Sequence, residues 1–394
     1  MLATSVFGLI YQGVTVGLLV ALVQLVFIFA CAKFSFFSFF PAIINFCLFQ
    51  EYAAVKGWKV YGLLALGNVP LYFNELKICT YMTNMVIMIF ILFTNCLRNE
   101  ETLLKIKYHI NAIASLTFVV LAVVVTILIF PNLPNLSNAG GGNRFDSGII
   151  PFAGWSIIPF FLLAASLGNA KYLKIKIASI IFVIAWYVLR GERVEALGFT
   201  LFIAVRYCFN SKNKKAIIKV IILMIFIIPI FISIGNLRIG LVDAGPRDLL
   251  QSIIIQATAC DVTYIFNCAV DLFYSGIHLH GITYLSYLVN CVPLLDDPYS
   301  FSKVIQQYYY TAGGGLFFAE PIANFGFVFT LLLVISYITL VVYIVSHKGT
   351  YTYLVYSVFM ISIFRSAWYG MNYPIVTLIY FIPFAILINS IFDK

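Results

Sequence analysis

The chain has 394 residues, of which 62% are hydrophobic and only 10% charged, with a formal net charge of +9 and a mean hydropathy of +1.01. Soluble globular domains carry about 25% charged residues, so a water-soluble fold is excluded. The apolar runs are continuous rather than alternating, which excludes a β-barrel and leaves an all-α polytopic integral membrane protein; no nucleic-acid partner is expected.

In chain order, apolar runs at residues 5–30, 34–50, 58–73, 78–97, 110–130, 151–168, 177–190, 194–210, 217–234, 325–346, 350–364 and 374–391 predict about twelve transmembrane helices. Each is near the ~20 residues that a bilayer requires. The run at 58–73 is interrupted by Gly67, Asn68 and Pro70. Ser5–Ala30 is too long for the apolar part of a cleavable signal and lacks a basic start, so it reads as a first span. The chain divides into N-terminal membrane helices (1–234, about nine), one large extracytoplasmic loop (235–324) and C-terminal membrane helices (325–394, about three).

Placing the N-terminus inside puts fourteen basic residues on inner segments and nine on outer ones, which satisfies the positive-inside rule. Thirteen of the inner set are lysines, whereas six of the outer set are arginines. Charge alone orients a membrane protein, so lysine suffices inside. Arginine adds a planar fork that grips phosphate in two places. The loop also holds seven of the chain's 15 acids, which points to chemistry or binding there.

Other outer segments have plainer readings. Pro131–Ile150, rich in Asn, Gly and Pro, reads as a flexible lid or connector. Arg365–Pro374 is an aromatic cluster, favoured as an interfacial belt over a platform for sugar rings. His278 and His280 form an H-x-H pair without a third ligand at useful spacing, so a solvated loop pair is favoured and no metal site is expected. The eight cysteines show no metal-ligand spacing and read as small apolar residues.

Candidate site residues fall in three groups. Arg190 and Arg193 flank a span end in LRGERVEA, and share a face if the helix continues through Gly191. Either Glu192 and Glu195 pair with them locally, or they wait for an anionic headgroup. Arg238, Asp243 and Arg247 follow the ninth span and could complete a cationic pocket for a lipid pyrophosphate. Glu320 lies in TAGGGLFFAEPIANFG, where three glycines allow a hinge or close backbone approach. It is the first candidate for a general base, followed by Asp243.

The order Gly191-x-Arg193, Arg238, then Gly281-Ile-Thr-Tyr-Leu leading to Pro293, then Gly313-Gly-Gly with Ala319-Glu320 and Asn324-Phe325-Gly326, resembles bacterial O-antigen and capsule repeat-unit polymerases of the Wzy type. The resemblance covers most of the chain by layout and about 40 residues by motif. It implies a GT-C-like membrane glycosyltransferase in the cytoplasmic (inner) membrane, with its active site facing the periplasm or cell exterior. It also implies that undecaprenyl-pyrophosphate-linked glycans serve as donor and acceptor and that no metal or cofactor is needed; a single displacement would invert the anomeric centre. Arg193 and Arg238 match the family's arginines and Glu320 its loop glutamate; Arg190, Arg247 and Asp243 are added from charge placement. A chain-length regulator of the Wzz type comes into consideration as a partner. An O-antigen ligase shares the layout, and a lipid-linked oligosaccharide flippase or transporter is the reading of a different class.

Overall fold

The computed structural model describes residues 14–32, 34–56, 58, 73–93, 100–101, 103–104, 110–132, 150, 152–210, 218–220, 222, 227, 230, 254–255, 257–293, 295, 297–311, 313–347 and 349–392. Of these, 79% are helical and none is in a strand. Arg238, Asp243 and Arg247 lie outside the described residues, as does most of the expected lid at 131–150.

The first three helices are α1 (Val14–Ala32), α2 (Phe36–Val55) and α3 (Phe73–Leu92). Next come α4 (Ala112–Ile129), the short α5 (Phe152–Trp155), α6 (Ile158–Ser166), α7 (Leu173–Leu189) and α8 (Val194–Asn210). After a gap follow α9 (Ala257–Tyr274), the short α10 (Leu285–Val289) and α11 (Phe301–Ile305), and the long α12 (Ala319–Ser346). The chain closes with α13 (Thr350–Ile361), α14 (Ile363–Tyr369), α15 (Asn372–Val376) and α16 (Ile382–Phe392), the last two joined through a π-helical turn.

Among the described residues, four helical segments are long and apolar enough to cross a membrane: Phe36–Val55, Ala112–Ile129, Ala319–Ser346 and Asn372–Phe392. Shorter apolar helices accompany them at Thr15–Phe29, Thr80–Phe90 and Tyr351–Ile361. Their outer faces are apolar too. Leu19, Val23 and Val26 on α1, and Val328, Leu332 and Ile335 on α12, are exposed, as expected of surfaces solvated by lipid.

Side-chain pairs fix how the helices run. Asn45 Nδ2 donates to the Ala21 carbonyl (2.7 Å) and Tyr52 pairs with Thr80 (2.7 Å), while Phe40 stacks on Phe90 (5.3 Å). The trio α1, α2 and α3 is therefore up, down, up. This places Lys56 and Phe73 at the same end of the bundle. A single crossing over 58–73 would need them at opposite ends, so that expected span does not fit; residues 59–72 themselves lie outside the described set.

One end of the bundle is rich in lysine. Lys176 is fully buried there and donates to the carbonyls of Ser166 (2.8 Å) and Asn169 (2.6 Å), covering the C-terminus of α6. Asn111 caps α4 at the same end and reaches the Phe392 carbonyl (2.8 Å). The antiparallel pair of α8 and α13, held by Arg206 and Tyr353 (2.6 Å), brings Thr350 to this end as well. Glu100 accepts from the Phe36 N–H (2.9 Å) and from Tyr356, which sets the start of α2 toward the lysine end and Lys56 at the opposite one.

The stretch expected as an extramembrane loop contains α9, most of which is buried. It runs parallel to α2: Thr263 meets the Cys47 carbonyl (3.4 Å) and Asn267 donates to Glu51 (2.9 Å). Because Asn210 lies at the lysine end and Tyr274 at the other, the chain makes a net crossing between them. The expected run at 217–234, largely outside the described residues, has the length for it.

The relation of α2 to α3 is checkable by cysteine labelling in sealed vesicles. Single cysteines at Lys56 and Lys171, both exposed, should be modified from opposite sides of the membrane. Modification from the same side would restore a crossing at 58–73.

Candidate functional site

The stretch Thr311–Gly326 folds as a hairpin that enters the bundle and turns back. Tyr309 Oη donates to Asp271 near the end of α9 (2.6 Å), and Leu316 N–H reaches the Val262 carbonyl (3.3 Å). Nine residues of helix separate Val262 from Asp271, about 14 Å at ~1.5 Å per residue. The chain then returns: Phe318 packs edge-on against Phe266 (5.1 Å), Leu279 N–H bonds the Ala323 carbonyl (3.0 Å), and Gly326 sits against Phe273.

Two broken helices make the turn possible. At Gly326 the backbone leaves helical geometry (φ 79°, ψ −171°), dividing α12 into a short returning helix and a membrane-length one. At Gly370 it does nearly the same (φ 81°, ψ −172°), ending α14 and freeing its last carbonyls. Those carbonyls accept from the hairpin: Trp368 O from Gly315 N–H (2.9 Å) and Ala367 O from Phe317 N–H (2.8 Å). Gly314 passes so near that a methyl there would stand 2.5 Å from the Tyr369 ring, and its φ of +90° suits glycine.

Glu320 lies just past the turn, 6% exposed. Its Oε1 accepts from the Thr283 hydroxyl (2.6 Å) and its Oε2 from the Tyr287 hydroxyl (2.7 Å). Asn324, four residues on and so on the same helix face, ties the other side. Its Nδ2 donates to Thr283 Oγ1 (2.8 Å) and to the Glu320 carbonyl (2.8 Å), while its Oδ1 accepts from Gly281 N–H (2.8 Å). Tyr284 stacks flat on Phe325 (6.0 Å, 7°). The Gly281–Leu285 stretch and the Glu320–Gly326 stretch, 35 to 45 positions apart in sequence, thus form one hydrogen-bonded unit.

A second carboxylate holds this unit from behind. Asp297 accepts from Ser286 Oγ (2.5 Å), Asn290 Nδ2 (3.0 Å) and Tyr299 N–H (3.0 Å). Asn372, just past Gly370, donates to the same Ser286 hydroxyl (3.0 Å). Ser286 precedes Tyr287 on α10, so Asp297 positions the helix that presents the Tyr287 hydroxyl to Glu320.

Glu320 forms part of the wall of a cleft of about 220 Å³, together with Tyr284, Tyr287, Phe317, Pro321, Leu333, Ser336, Tyr337, Leu340, Gly370 and Met371. Burial, with the Glu320 carboxylate beside it, pushes the Tyr287 hydroxyl well above the ordinary tyrosine range, and the same two causes raise Tyr284. Both phenols therefore stay protonated near neutral pH and can act as donors. The Tyr284 Oη is buried and has no hydrogen-bond partner among the described residues.

Arg190 and Arg193 sit at the same end of the bundle as Glu320 but outside this cleft. The helix does not continue through Gly191, which has φ +84°, so the expected shared face is absent. Arg190 is buried, donates to the Asn132 carbonyl (2.9 Å) and lies over the Phe130 ring (5.7 Å). Glu192 and Glu195 both reach Arg365, at 2.7 and 2.5 Å, from 173 and 170 positions away. Arg365 is 3% exposed and lies within 5.1 Å of the ring centres of Phe152, Tyr369 and Tyr373. The 365–374 cluster is thus an internal ionic centre and not an interfacial belt. A lone arginine among three aromatic residues was its only sequence signal. His278 and His280 are exposed, with His278 packed edge-on against Phe273 (4.8 Å).

Compared with models of known families, with curated proteins and with solved structures, the chain matches none.

The close approach at the mouth of the hairpin is testable with two glycines of similar φ. Gly276 (φ +76°) has open space where a methyl would go, whereas at Gly326 (φ +79°) a methyl would stand 2.6 Å from the Phe273 ring. Gly276→Ala should cost about 1–2 kcal/mol from backbone strain, and Gly326→Ala a further ~1–3 kcal/mol from overpacking, read by thermal unfolding in detergent. Equal losses would mean that Gly326 is not packed as described.

Proposed function

We propose that this chain is a membrane-embedded glycosyltransferase that joins lipid-pyrophosphate-linked oligosaccharide repeat units, as the resemblance to Wzy-type polymerases implies. The observation that carries the reading is Glu320: a buried carboxylate gripped by two hydroxyl donors, at the wall of an open cleft with aromatic sides. Ionisable side chains at membrane depth are costly, and by default they mark functional sites. Sugar hydroxyls bind well where aromatic faces and a hydrogen-bond acceptor converge.

The chemistry needs three things. The acceptor hydroxyl attacks the anomeric carbon of the donor glycan, forming the new C–O bond while the bond to pyrophosphate breaks. The hydroxyl proton passes to Glu320, whose position is set by Thr283 and Tyr287. The leaving pyrophosphate carries away the electron pair and requires preorganised cations, for which Arg190, Arg193, Arg238 and Arg247 are the candidates. A single displacement of this kind inverts the anomeric centre, and Asp243 is the second candidate base.

Orientation follows from charge. The lysine end, with Lys171, Lys174 and Lys176, suits the cytoplasm. Glu320 then faces the periplasm or cell exterior across the inner membrane. With the run at 58–73 removed from the twelve candidate spans, and 217–234 kept as a crossing, eleven remain and residue 14 starts on the outer side. The acid-rich stretch 235–324 lies on that side too, with α9 dipping into the bundle from it.

A flippase is the second reading, because helices broken within the membrane also occur where transporters bind substrate. Purified protein given a lipid-pyrophosphate-linked repeat unit, with chelator present, separates the two. The expected result is a ladder of lengthened glycans on the lipid, reduced at least about 100-fold in Glu320→Gln. Movement of the lipid-linked unit across a vesicle bilayer without a ladder would establish transport instead. Transfer onto a lipid A core acceptor in place of a repeat unit would identify a ligase. Arg193→Lys keeps the charge but loses the fork, and should lower kcat/KM about tenfold or more; a lysine variant as active as the parent would remove Arg193 from the pyrophosphate site.

A further inference from the structure

Two tyrosines of one short segment line the Glu320 cleft, and the fold uses only one of their hydroxyls. Tyr284 and Tyr287 are three residues apart and pack edge-on, with ring centres 5.3 Å apart at 78°. Tyr287 Oη donates to Glu320 Oε2 (2.7 Å), and its oxygen accepts from the Met371 backbone. Tyr284 Oη, though buried, has no partner among the described residues. Packing holds this ring instead. It stacks flat on Phe325 (6.0 Å, 7°), and Phe325 fits over Gly281, where an added methyl would stand 2.8 Å from it. A phenylalanine would stack equally well and would not bury a hydroxyl without a partner, which costs about 1–3 kcal/mol. The ring of Tyr284 thus serves the fold, and its hydroxyl does not.

Gly370 leaves room on another side of the carboxylate. A methyl there would stand 3.1 Å from Glu320 Oε2 and 3.6 Å from Tyr287 Oη. Among the described residues these two oxygens are its only close neighbours outside the adjoining chain. The backbone at Gly370 (φ 81°, ψ −172°) is one that only glycine adopts readily, so no side chain fills the space. An oxygen settling a little nearer than the methyl position hydrogen-bonds Oε2, which keeps a lone pair beyond the one that Tyr287 occupies.

We propose that Tyr284 selects the acceptor sugar, its hydroxyl donating to a hydroxyl that neighbours the attacking one. The proposal rests on the polymerase reading and adds which oxygens of the acceptor sugar are recognised. The attacking hydroxyl sits over Gly370 and donates to Glu320 Oε2. The neighbouring hydroxyl accepts from Tyr284 Oη. Glu320 and Tyr284 together therefore read two adjacent oxygens on one ring, one as acceptor and one as donor. The proton of the attacking hydroxyl goes to Glu320. Tyr284 keeps its own proton, because burial and the nearby carboxylate hold its phenol well above the ordinary range. Tyr287, already bonded to Glu320 and Met371, orients the carboxylate and takes no part in the recognition.

Tyr284→Phe removes the hydroxyl and keeps the stack. Full-length parent and variant are given one donor, a lipid-pyrophosphate-linked repeat unit with its terminal sugar capped. The acceptors are the repeat unit on a short alkyl chain and analogues that each lack one hydroxyl of the terminal sugar. With the complete acceptor, the variant's kcat/KM for acceptor should fall about tenfold or more while the KM for donor stays unchanged. With one of the deoxy acceptors the parent should fall by the same factor and the variant no further, the non-additivity expected of groups in contact. Losses that multiply for every acceptor overturn the proposal, as does a variant as active as the parent. Thermal unfolding in detergent separates recognition from a structural role. Tyr284→Phe should unfold no lower than the parent, whereas Tyr287→Phe should unfold lower; equal falls would place the Tyr284 hydroxyl in a bond within the fold and overturn the proposal. A parent that elongates no acceptor refutes the polymerase reading, and simple methyl glycosides then decide the site. They should raise the unfolding temperature of the parent by a few degrees and leave that of Tyr284→Phe unmoved; a shift in both alike, or in neither, overturns the assignment of Tyr284.

Discussion

A backbone that turns round inside an apolar bundle must find a partner for every amide it carries there, because lipid offers none. The hairpin at 311–326 meets this constraint with carbonyls that other helices have released. Trp368 and Ala367 can accept from Gly315 and Phe317 only because α14 stops at Gly370. Val262, on α9, accepts from Leu316. The break in one helix thus satisfies the break in another, and neither interruption would be stable without its counterpart. An unpaired buried amide costs about 1–3 kcal/mol, so several together would be enough to expel the hairpin.

The same logic explains the ionic centre around Arg365. Since α14 supplies the hairpin's acceptors, its own position has to be fixed, and Arg365 fixes it to the loop before α8 and to the first turn of α8. One guanidinium facing two carboxylates and three aromatic rings is fully enclosed, with side-chain exposures of 3%, 10% and 0% for Arg365, Glu192 and Glu195. A buried pair of this kind adds little net stability compared with apolar packing, yet removing one partner costs about 3–5 kcal/mol. Its role is better described as registry: only one setting of α14 against α8 keeps all three charges satisfied.

Much of the helical character was legible from hydropathy, because a lipid-facing helix leaves a continuous apolar run. Glu320, too, stood out as a carboxylate after a glycine triplet at the start of a span. What could not be read was depth. Hydropathy does not distinguish a segment that crosses from one that enters and returns, so α9 and the hairpin looked like one large loop. The run at 58–73 shows the converse: it was apolar enough to suggest a crossing, yet Tyr52 and Thr80 place its flanks at one end. Arg365 was hidden for another reason. Its partners, Glu192 and Glu195, are 173 and 170 positions away, and local sequence offered each of them a nearer arginine in Arg190 or Arg193.

Depth also changes what Glu320 can do. A carboxylate at a solvated loop tip has an ordinary basicity and a shell of water that competes for every hydroxyl. Set beside an apolar cleft and supplied with hydroxyl donors by Thr283 and Tyr287, it keeps a fixed geometry without that shell. Asp297 strengthens the arrangement indirectly, since its hold on Ser286 leaves α10 little freedom to withdraw Tyr287. Each of these side chains stands on an element anchored by another: Asn324 ties Gly281 and Thr283 to α12, and Asn372 ties α10 to the residue just past the Gly370 break. A hydroxyl substrate reaching Glu320 would meet an acceptor whose orientation was settled when the hairpin folded. The same anchoring that makes a backbone turn tolerable inside the bundle therefore also holds the carboxylate just past that turn in one orientation.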